Sequence, residues 1–512
     1  MRARAIMVLG TSSHVGKSLL TAALCRIFAQ EGYRVAPFKS QNMSLNSAAT
    51  PDGLEIGRAQ ALQAEAAGVP ASVHMNPILL KPCGEMSSQI VVRGKIWGKL
   101  TASAYHQRRV EELMPMVTES YETLAASHDI IILEGAGSPA EINLKQHDIV
   151  NMRMAELADA ACLLVGDIDR GGVFASLLGT VELLEPAEQA RIRGFLINKF
   201  RGDVTLLQPG VDMIEQRLQK RCMGVVPYIP DLLLEEEDSV GLPAQGAEAA
   251  WASSSDPARP LRVAVVALPS FSNFTDFDSL RSEPAVSVRF CRTAQELALA
   301  DVIVLPGSKQ TVYDLDWMRS NGLAHAVAAH ATAGLVVGIC GGLQMLGATI
   351  TDPSGMERQG IVQGLELLPI RTTMQPAKIT RVSAGTTLLT HLFGQPVPPL
   401  ALRGYEIHIG VSSLAAGAHA FARLDGGAPE GCVSANSRVM GTYLHGLFDS
   451  DEFRHGFIQA ARAFHGLASA TALDDWATKR AASLDKLAEV VRASVDLKTM
   501  FEWVGKSYGG AR

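Results

Sequence analysis

The residue best suited to nucleophilic chemistry is Cys340, which lies in a glycine-rich turn directly after the apolar run 335–339. A strand that ends in G-x-C-x-G and continues into a helix is typical of a nucleophile elbow, because the glycines permit a strained turn. The turn exposes the thiol, and the first N–H groups of the helix favour its anionic form. The backbone N–H of Gly341 would face a developing oxyanion. The pattern therefore predicts a cysteine that attacks a carbonyl group.

Two further groups are needed for such chemistry. A second oxyanion donor is expected in the loop after the apolar run 302–305, at Gly307 and Ser308. A thiol nucleophile also needs a base, and His445 follows a short run of residues that favour a strand. Among the thirteen histidines of the chain, His408 is the other candidate for this role.

A phosphate-binding loop is predicted near the start of the chain. The first apolar run leads into the sequence G-T-S-S-H-V-G-K-S, and a helical pattern follows. Backbone N–H groups of such a loop face phosphate oxygens, while the lysine adds a charge and the serine a Mg²⁺ ligand. Five residues separate its two glycines, one more than in the common form of the motif, and a plain glycine turn is the alternative interpretation. The predicted ATP-binding residues are Gly10, Thr11, Gly16, Lys17 and Ser18.

Other strand ends in the first half carry polar side chains. Glu134 ends the apolar run 130–133 and is predicted to be the second Mg²⁺ ligand beside Ser18; capping the next element is the alternative. Asn198 follows a buried run and is a candidate for reading the nucleotide base through its amide. The acids in 167–170 are candidates for positioning substrate or metal, although each of these loops alone is ordinary.

Short, continuous apolar runs separated by helix-length spacers predict parallel strands covered on both faces. We therefore expect an α/β protein with two doubly wound, mainly parallel-sheet domains. The first domain is predicted over residues 1–237 and the second over 261–453, joined by a linker at 238–260 that is rich in Gly, Ala, Ser and Pro. An alanine-rich helical tail packed on one of the domains is predicted over 454–512.

The composition limits the partners of this chain. A net charge of -6 and 47% hydrophobic residues, over a length of 512, argue against an electrostatic nucleic-acid binder and against a disordered chain. No stretch approaches the roughly 18 uninterrupted apolar residues of a membrane helix. The seven cysteines are scattered and odd in number, which favours a reducing compartment. We expect a cytoplasmic protein without nucleic-acid or membrane partners.

The cysteine elbow resembles that of the class I glutamine amidotransferases. Their pattern G-x-C-x-G-x-Q is matched here by Gly338, Cys340, Gly342 and Gln344. The resemblance implies a flavodoxin-like domain in which Cys340 and His445 are the catalytic residues. The residues predicted to bind glutamine and its oxyanion are Gly307, Ser308, Gly341 and Gln344.

Taken together, the motifs resemble the cobyric acid synthase family over nearly the whole chain. The segments that carry this resemblance are 10–18, 133–144, 167–172 and 443–448, besides the elbow. The first half is also similar to dethiobiotin synthetase, which shares the five-residue spacing of the phosphate loop. The resemblance implies a P-loop ATP-dependent synthetase domain over 1–237, fused to the amidotransferase domain.

The resemblance also implies a reaction. L-Glutamine, ATP and a corrinoid polycarboxylate, adenosylcobyrinic acid a,c-diamide, would be the substrates, and the b, d, e and g carboxylates would be amidated in turn through acyl phosphates. ATP and Mg²⁺ are the expected cofactors, with no tightly bound organic cofactor. The sequence leaves the oligomeric state open.

One departure from the amidotransferase pattern concerns the catalytic histidine. Most class I members carry Glu two residues after it, whereas this chain has Leu447. The corrinoid branch, which the chain resembles, also lacks this acid. Because an orienting acid strengthens the base, its absence predicts slow or substrate-gated glutamine hydrolysis. Segments 38–44 and 77–82 also resemble the family, and Lys39 and Lys81 are candidates for binding phosphates or corrinoid carboxylates, with solvated loop lysines as the alternative.

Two other functions stay open at this point. A cobyrinic acid a,c-diamide synthase shares the architecture and acts earlier on other carboxylates, although segment 38–44 and the chain length favour cobyric acid synthase. A non-catalytic deviant P-loop ATPase switch with an inactive amidotransferase-like domain belongs to a different class. The intact pair of Cys340 and His445 argues against such a switch.

Overall fold

The computed structural model contains two compact units. The residues that it describes are 2–83, 87–101, 105, 109–234, 251–471 and 473–509. The first unit comprises Met1–Ser44, Leu54–Glu237 and Arg480–Arg512, and the second comprises Leu45–Gly53 and Asp238–Lys479. A short segment of the first half of the chain thus belongs to the second unit.

The first unit is built on a six-stranded sheet in which all neighbours are parallel, in the order β12-β11-β10-β1-β9-β2. Strands β1 and β9 are almost entirely buried, as expected for continuous apolar runs covered on both faces. A smaller sheet has the order β3-β6-β7-β8. The strands of this half of the chain are β1 (Arg4–Gly10), β2 (Val35–Phe38), β3 (Gln41–Met43), β4 (Ser47–Ala49), β5 (Glu55–Gly57), β6 (Ile78–Cys83), β7 (Ser87–Val92), β8 (Lys95–Thr101), β9 (Ile130–Glu134), β10 (Ala161–Asp167), β11 (Ile192–Phe200) and β12 (Arg221–Pro227).

Helices pack on this sheet and bury its apolar residues. The helices of this half are α1 (Lys17–Gln30), α2 (Arg58–Ala67), α3 (Met114–Ser127), α4 (Met152–Leu157), α5 (Val173–Glu182), α6 (Pro186–Arg191) and α7 (Val204–Leu218). The carboxyl-terminal residues of the chain complete the same core, where Phe501 stacks on Phe28 of α1 with ring centroids 4.0 Å apart. The end of the chain therefore stabilises the helix that follows the phosphate loop.

The second unit contains a sheet in the order β14-β13-β15-β16-β26-β25, parallel except for the edge strand β25. A second sheet, in the order β18-β17-β19-β23-β24 with β22 paired to β19, lies in the same unit. The strands are β13 (Leu261–Val266), β14 (Val286–Cys291), β15 (Val302–Leu305), β16 (Leu335–Ile339), β17 (Thr349–Asp352), β18 (Gly360–Gln363), β19 (Ile370–Thr387), β20 (His391–Leu392), β21 (Gln395–Pro396), β22 (Ala401–Leu414), β23 (Ala422–Leu424), β24 (Pro429–Glu430), β25 (Cys432–Val433) and β26 (Val439–Thr442).

The remaining helices are α8 (Asp278–Arg281), α9 (Ala294–Leu297), α10 (Thr311–Ser320), α11 (Leu323–Ala331), α12 (Gly341–Leu346), α13 (Asp451–Phe464), α14 (Trp476–Ser494) and α15 (Leu497–Trp503). The predicted fold class, two mainly parallel α/β sheets with a helical tail, is confirmed. The structure assigns 454–479 to the second unit and 480–512 to the first, so the tail is divided. The domain boundaries drawn from the sequence stay predictions.

Most of the predicted linker, 238–250, lies outside the described residues, and 251–260 contain neither helix nor strand. In the part of the chain that the structure describes, no helix combines the length and hydropathy needed to cross a membrane. All seven cysteines lie in this part, and each is a free thiol.

Candidate active site

Cys340 lies between the end of β16 and the start of α12, with φ 51° and ψ -105°. A non-glycine residue rarely adopts such a backbone conformation, which is a hallmark of a nucleophile elbow. Cys340 is 6% exposed, so the prediction of an exposed thiol is wrong. A Cβ atom on Gly342 would overlap the carbonyl oxygen of Leu305 and lie 2.6 Å from its carbonyl carbon. Glycine is therefore required where the elbow passes β15.

The loop after β15 approaches the elbow. A Cβ atom on Gly341 would lie 2.9 Å from the backbone nitrogen of Ser308, so the elbow and this loop pass close to each other. The carbonyl of Gly307 accepts a hydrogen bond from the backbone N–H of Ser272 at 3.0 Å, and this fixes the loop. The structure thus brings together Gly307, Ser308 and Gly341, the residues predicted to form the oxyanion hole.

A buried acid fixes Ser308 from the other side. Asp314 accepts the Ser308 hydroxyl at 2.6 Å and the backbone N–H of Ser270 at 3.2 Å. Burial raises the pKa of Asp314 to about 6, although the hydrogen bonds from both serines favour its ionised form. Asp314 therefore links the loop after β13 to the loop after β15.

His445 follows β26, which is the neighbour of β16 in the sheet. Its backbone pairs with Tyr405 in both directions, and the Tyr405 ring stacks on the imidazole with centroids 5.3 Å apart. The Cys340 N–H donates to the carbonyl oxygen of Thr442 at 2.7 Å, which joins the elbow to the segment that carries His445, and the charge of Cys340 acts on the imidazole. The carboxyl ends of three adjacent strands, β15, β16 and β26, thus supply the oxyanion loop, the thiol and the imidazole.

A carboxylate that the sequence did not indicate completes this arrangement. The Nδ1 atom of His445 donates to Oδ2 of Asp276 at 2.8 Å, and the N–H of Gly446 donates to Oδ1 at 2.9 Å. Leu447, at the usual position of the acid, is fully buried in the apolar core. The sequence left open what orients His445 in the absence of the usual acid, and in the structure a carboxylate from the segment after β13 lies at its Nδ1. Slow or substrate-gated glutamine hydrolysis stays a prediction.

The electrostatics of His445 follow from these neighbours. Burial disfavours the imidazolium, but the charges of Asp276 and Cys340, with the hydrogen bond to Asp276, raise the pKa of His445 to about 10. An imidazolium beside a sulfur atom is the arrangement that stabilises a thiolate. The site is thus arranged for attack by sulfur and for proton donation to a leaving group.

Gln344 and His408 lie on the other side of the elbow. The Gln344 amide donates to the Tyr443 hydroxyl at 3.2 Å, and Tyr443 shares a 2.7 Å hydrogen bond with Ser412. His408 stacks on Tyr443 at 3.8 Å, and its Nδ1 lies 2.6 Å from the carbonyl oxygen of Gly410. His408 Nε2 also lies 3.5 Å from Oε2 of Glu406, so both histidines have a carboxylate neighbour. What distinguishes His445 is its shorter contact with a carboxylate, 2.8 Å to Asp276, together with the charge of Cys340 that acts on its ring.

In the first unit, the phosphate loop runs from the end of β1 to α1. Gly16, with φ 92°, precedes the helix, and a Cβ atom there would overlap the amide of Asn198. Lys17 Nζ donates to the carbonyl oxygens of Ser12 at 2.9 Å and Gly137 at 3.1 Å. The lysine thus lies where the loop meets the strand end of β9.

Glu134, at the end of β9, lies against this loop. Its Oε1 accepts from the Ser18 hydroxyl at 2.9 Å and from Lys39 Nζ at 2.9 Å, and its Oε2 accepts from Gln63 at 2.6 Å.

The two lysines considered for phosphates or corrinoid carboxylates are both buried. Lys39 is 3% exposed. Lys81 is 4% exposed and forms a 2.6 Å ion pair with Glu55. Neither is a solvated loop lysine.

Asn198 holds the loop from the side. Its amide donates to the carbonyl oxygen of Val15 at 2.8 Å. Lys199 Nζ donates to the backbone carbonyl oxygen of His14 at 2.6 Å and lies 3.0 Å from Oδ2 of Asp167. The structure thus places Gly10, Thr11, Gly16, Lys17, Ser18, Glu134 and Asn198 around one loop, and the reading of a base by Asn198 stays a prediction.

Two oxygen atoms fit a magnesium ion. The Ser18 hydroxyl and Glu134 carboxylate are hard ligands that lie next to each other beside the phosphate loop. Among the described residues, no group of three or more His, Cys, Asp or Glu side chains is arranged to hold a metal. Such a fit is usual for Mg²⁺, which takes one or two protein ligands together with phosphates and water.

The comparisons with known proteins agree with these two sites. Residues 6–240 match the model of the CobQ/CobB/MinD/ParA nucleotide binding domain, and residues 262–453 match that of the CobB/CobQ-like glutamine amidotransferase domain. The chain therefore combines an ATP-binding P-loop domain with a glutamine amidotransferase domain, and it is an ATP-dependent amidation enzyme.

Proteins named cobyric acid synthase are similar over almost the entire chain. That of Moorella thermoacetica is 47% identical over 97% of this chain and 96% of its own length. Those of Desulforudis audaxviator and Clostridium botulinum are 48% and 46% identical, each over 98% of this chain and 99% of their own length. The chain belongs to the cobyric acid synthase family, as the sequence motifs predict.

Proposed function

We propose that this protein amidates the b, d, e and g carboxylates of adenosylcobyrinic acid a,c-diamide in cobalamin biosynthesis, with glutamine as nitrogen donor. The substrate class rests on the family. The observation that carries the glutaminase half of the proposal is the hydrogen bond of His445 to Asp276, in a segment whose backbone is hydrogen-bonded to Cys340. That arrangement supplies a nucleophile, a proton donor and an orienting acid in one site.

Glutamine hydrolysis begins when the Cys340 sulfur attacks the side-chain amide carbon. The oxyanion that forms is stabilised by the backbone N–H groups of Gly341 and Ser308. His445 then gives its proton to the departing ammonia, and the imidazole afterwards activates the water that hydrolyses the thioester. Asp276 keeps the imidazole in the required tautomer throughout.

The phosphate loop of the first unit performs the second half of the reaction. Lys17 and the loop N–H groups hold the phosphates of ATP, and a substrate carboxylate attacks the γ-phosphorus and displaces ADP. Ammonia then attacks the acyl phosphate, and inorganic phosphate leaves. Ser18 and Glu134 would hold Mg²⁺, which neutralises phosphate charge when it is bound.

The test is an assay of ATP hydrolysis and corrinoid amidation with glutamine or ammonium chloride as donor. We expect Cys340→Ser to abolish glutamine-dependent amidation and to retain ammonia-dependent amidation, with Cys222→Ser, a half-buried thiol in the other unit, as matched control. Glutamine-dependent activity in Cys340→Ser would refute the proposed chemistry. Preference for a corrinoid without the a and c amides would favour the earlier diamide synthase, and corrinoid-independent ATP turnover without amidation would favour the switch.

A further inference from the structure

The acid that orients His445 lies on a turn held by a distant part of the chain. Asp276 belongs to the 3₁₀ turn Phe274–Phe277, which follows β13. The Phe274 N–H donates to Oδ1 of Asn46 at 3.3 Å, and the Ser47 N–H donates to Oδ1 of Asn273 at 3.0 Å. Two asparagines from separate segments thus each accept a backbone hydrogen bond from the other segment.

The backbone of the turn needs this support. Asn273 has φ 56° and ψ 50°, the left-handed conformation, which asparagine tolerates better than most residues. Its carbonyl oxygen accepts a hydrogen bond from the N–H of Asp276 at 3.1 Å, so the conformation of Asn273 determines the position of Asp276. Both asparagines are buried, Asn46 at 2% and Asn273 at 3% exposure, so water does not compete for these hydrogen bonds.

The position of the turn is passed on to the catalytic histidine. Both oxygens of Asp276 are used, one by the imidazole of His445 and one by the N–H of Gly446. A displaced turn would therefore change the direction of the imidazole as well as its charge. Positions of catalytic groups matter at this scale, because a shift of about 1 Å can cost about a hundredfold in rate.

The supporting segment has an unexpected place in the fold. Residues 45–53 interrupt the first unit along the chain and fall within the nucleotide-binding match at 6–240, yet they belong to the second unit. Gly53, with φ 76°, shows their close fit there, since a Cβ on it would lie 3.1 Å from the carbonyl oxygen of Thr380. A segment that the sequence allocates to ATP binding thus packs in the glutaminase unit.

We propose that Asn46 and Asn273 are positioning residues of the glutaminase site. They hold the turn that carries Asp276, and thereby fix the orientation of His445 toward Cys340. This inference rests on the proposed glutamine hydrolysis at Cys340. Asn46 lies in the sequence between two parts of the nucleotide-binding unit. It is therefore required for the release of ammonia from glutamine and not for the use of ATP.

A matched pair of variants at Asn273 separates positioning from backbone preference. Gly and Asp both tolerate the left-handed conformation, but only Asp keeps an oxygen that accepts the Ser47 N–H. In full-length protein, we expect Asn273→Gly to lower glutamine-dependent kcat at least about tenfold with little change in KM for glutamine. Asn273→Asp should recover most of that rate. Equal rates for Asn273→Gly and wild type, or equal losses in both variants, would overturn the proposal.

The donor of nitrogen provides the second test. Asn46→Ala should lower glutamine-dependent amidation by a similar factor, while ammonia-dependent amidation and its KM for ATP stay within about twofold of wild type. Asp52→Asn, an exposed position in the same segment, is the control and should match wild type with both donors. A parallel loss with both donors would show a general structural role and refute the inference. Wild-type protein without glutamine-dependent activity would instead refute the proposed function.

Discussion

The Nδ1 atom of His445 lies 2.8 Å from Oδ2 of Asp276, although the two residues are 169 positions apart in the sequence. Both side chains are 1% exposed, so the pair is shielded from water. A buried carboxylate at Nδ1 fixes the tautomer that points Nε2 toward the nucleophile. The proposed glutaminase site therefore has a third member, Asp276, which lies in the segment after β13 and not two residues after the histidine.

The first prediction concerns this carboxylate. Asp276→Asn removes the charge that raises the pKa of His445 and presents an amide to Nδ1. We expect glutamine-dependent kcat to fall about a hundredfold or more, since loss of an orienting acid is this costly in comparable triads. Ammonia-dependent amidation should be retained. Steady-state assays with both donors check the prediction.

The control for Asp276→Asn is the same change two residues later, Asp278→Asn, which should have little effect. Leu447→Glu is a further comparison, because Leu447 is fully buried among apolar residues. A carboxylate there would be buried without a designed partner, so we expect loss of stability and no gain in glutaminase rate. Near-normal glutamine use by Asp276→Asn would contradict the triad.

Local patterns were sufficient for the parts of the site that depend on neighbours in the chain. The elbow at Cys340 could be predicted because glycine spacing and a preceding apolar run define its geometry within a few residues. The convergence of Gly307, Cys340 and His445 could also be predicted, since carboxyl ends of parallel strands meet at one edge of a sheet. The two α/β sheets follow from the same continuous apolar runs.

Other parts of the site depend on contacts between distant segments. The sequence gives no signal that Asp276 reaches His445, because an acid after a strand is common and its partner is fixed only by packing. Lys39 could be proposed as a ligand of phosphates, but its ion pair with Glu134 requires the register of β2 beside β9. The placement of Asn46 in the second unit depends on tertiary packing in the same way.

The second prediction concerns pH and Asp314. Its carboxylate fixes Ser308 and Ser270, and burial raises its pKa to about 6. Glutamine-dependent kcat/KM should therefore decline below about pH 6 as the acceptor is protonated. Stability responds with the opposite sign: folding favours the protonated form, so the contribution of Asp314 is largest below its ordinary pKa and is lost as pH rises toward about 6.

The matching variants are Asp314→Asn and Asp316→Asn, the second being a half-buried position on the same helix. Asp314→Asn should lower the rate and remove the inflection near pH 6 from the profile, and Asp316→Asn should keep it. Denaturant midpoints measured between pH 4 and 7 report the stability. If kcat/KM of Asp314→Asn declines at low pH as it does in the wild type, the inflection belongs to another group.

The third prediction concerns the buried ion pair of the first unit. Lys39 Nζ and Glu134 Oε1 are 2.9 Å apart and 3% and 0% exposed. Lys39→Met removes one partner of a buried ion pair, which costs about 3 kcal/mol of unfolding free energy in comparable cases. The double variant Lys39→Met with Glu134→Gln should recover part of this stability. The measurement is the urea midpoint of the unfolding transition that ATP shifts to higher urea concentration.

The control for the ion pair is Arg34→Met, which breaks a 2.8 Å contact with Asp129 while the arginine side chain is 67% exposed. Exposed pairs contribute little, because water solvates both partners once they separate. The urea midpoint should change only slightly. Similar shifts for Lys39→Met and Arg34→Met would show that burial does not decide the strength of these pairs.

The last prediction concerns the glycine behind the nucleophile. A Cβ on Gly342 would overlap the carbonyl oxygen of Leu305, a backbone atom of β15 that cannot rotate away. Gly342→Ala must therefore push β15 from the elbow, and Gly307 and Ser308 follow directly after this strand. We expect loss of glutamine-dependent activity by about a hundredfold and retention of ammonia-dependent activity in the folded fraction.

The control is Gly179→Ala, on a helix where the added methyl group meets nothing within 4 Å, and it should be neutral or slightly stabilising. Assays with both donors, beside circular dichroism of each variant, distinguish a displaced oxyanion loop from unfolding. Equal activity of Gly342→Ala and Gly179→Ala with glutamine would contradict the close approach of α12 to β15.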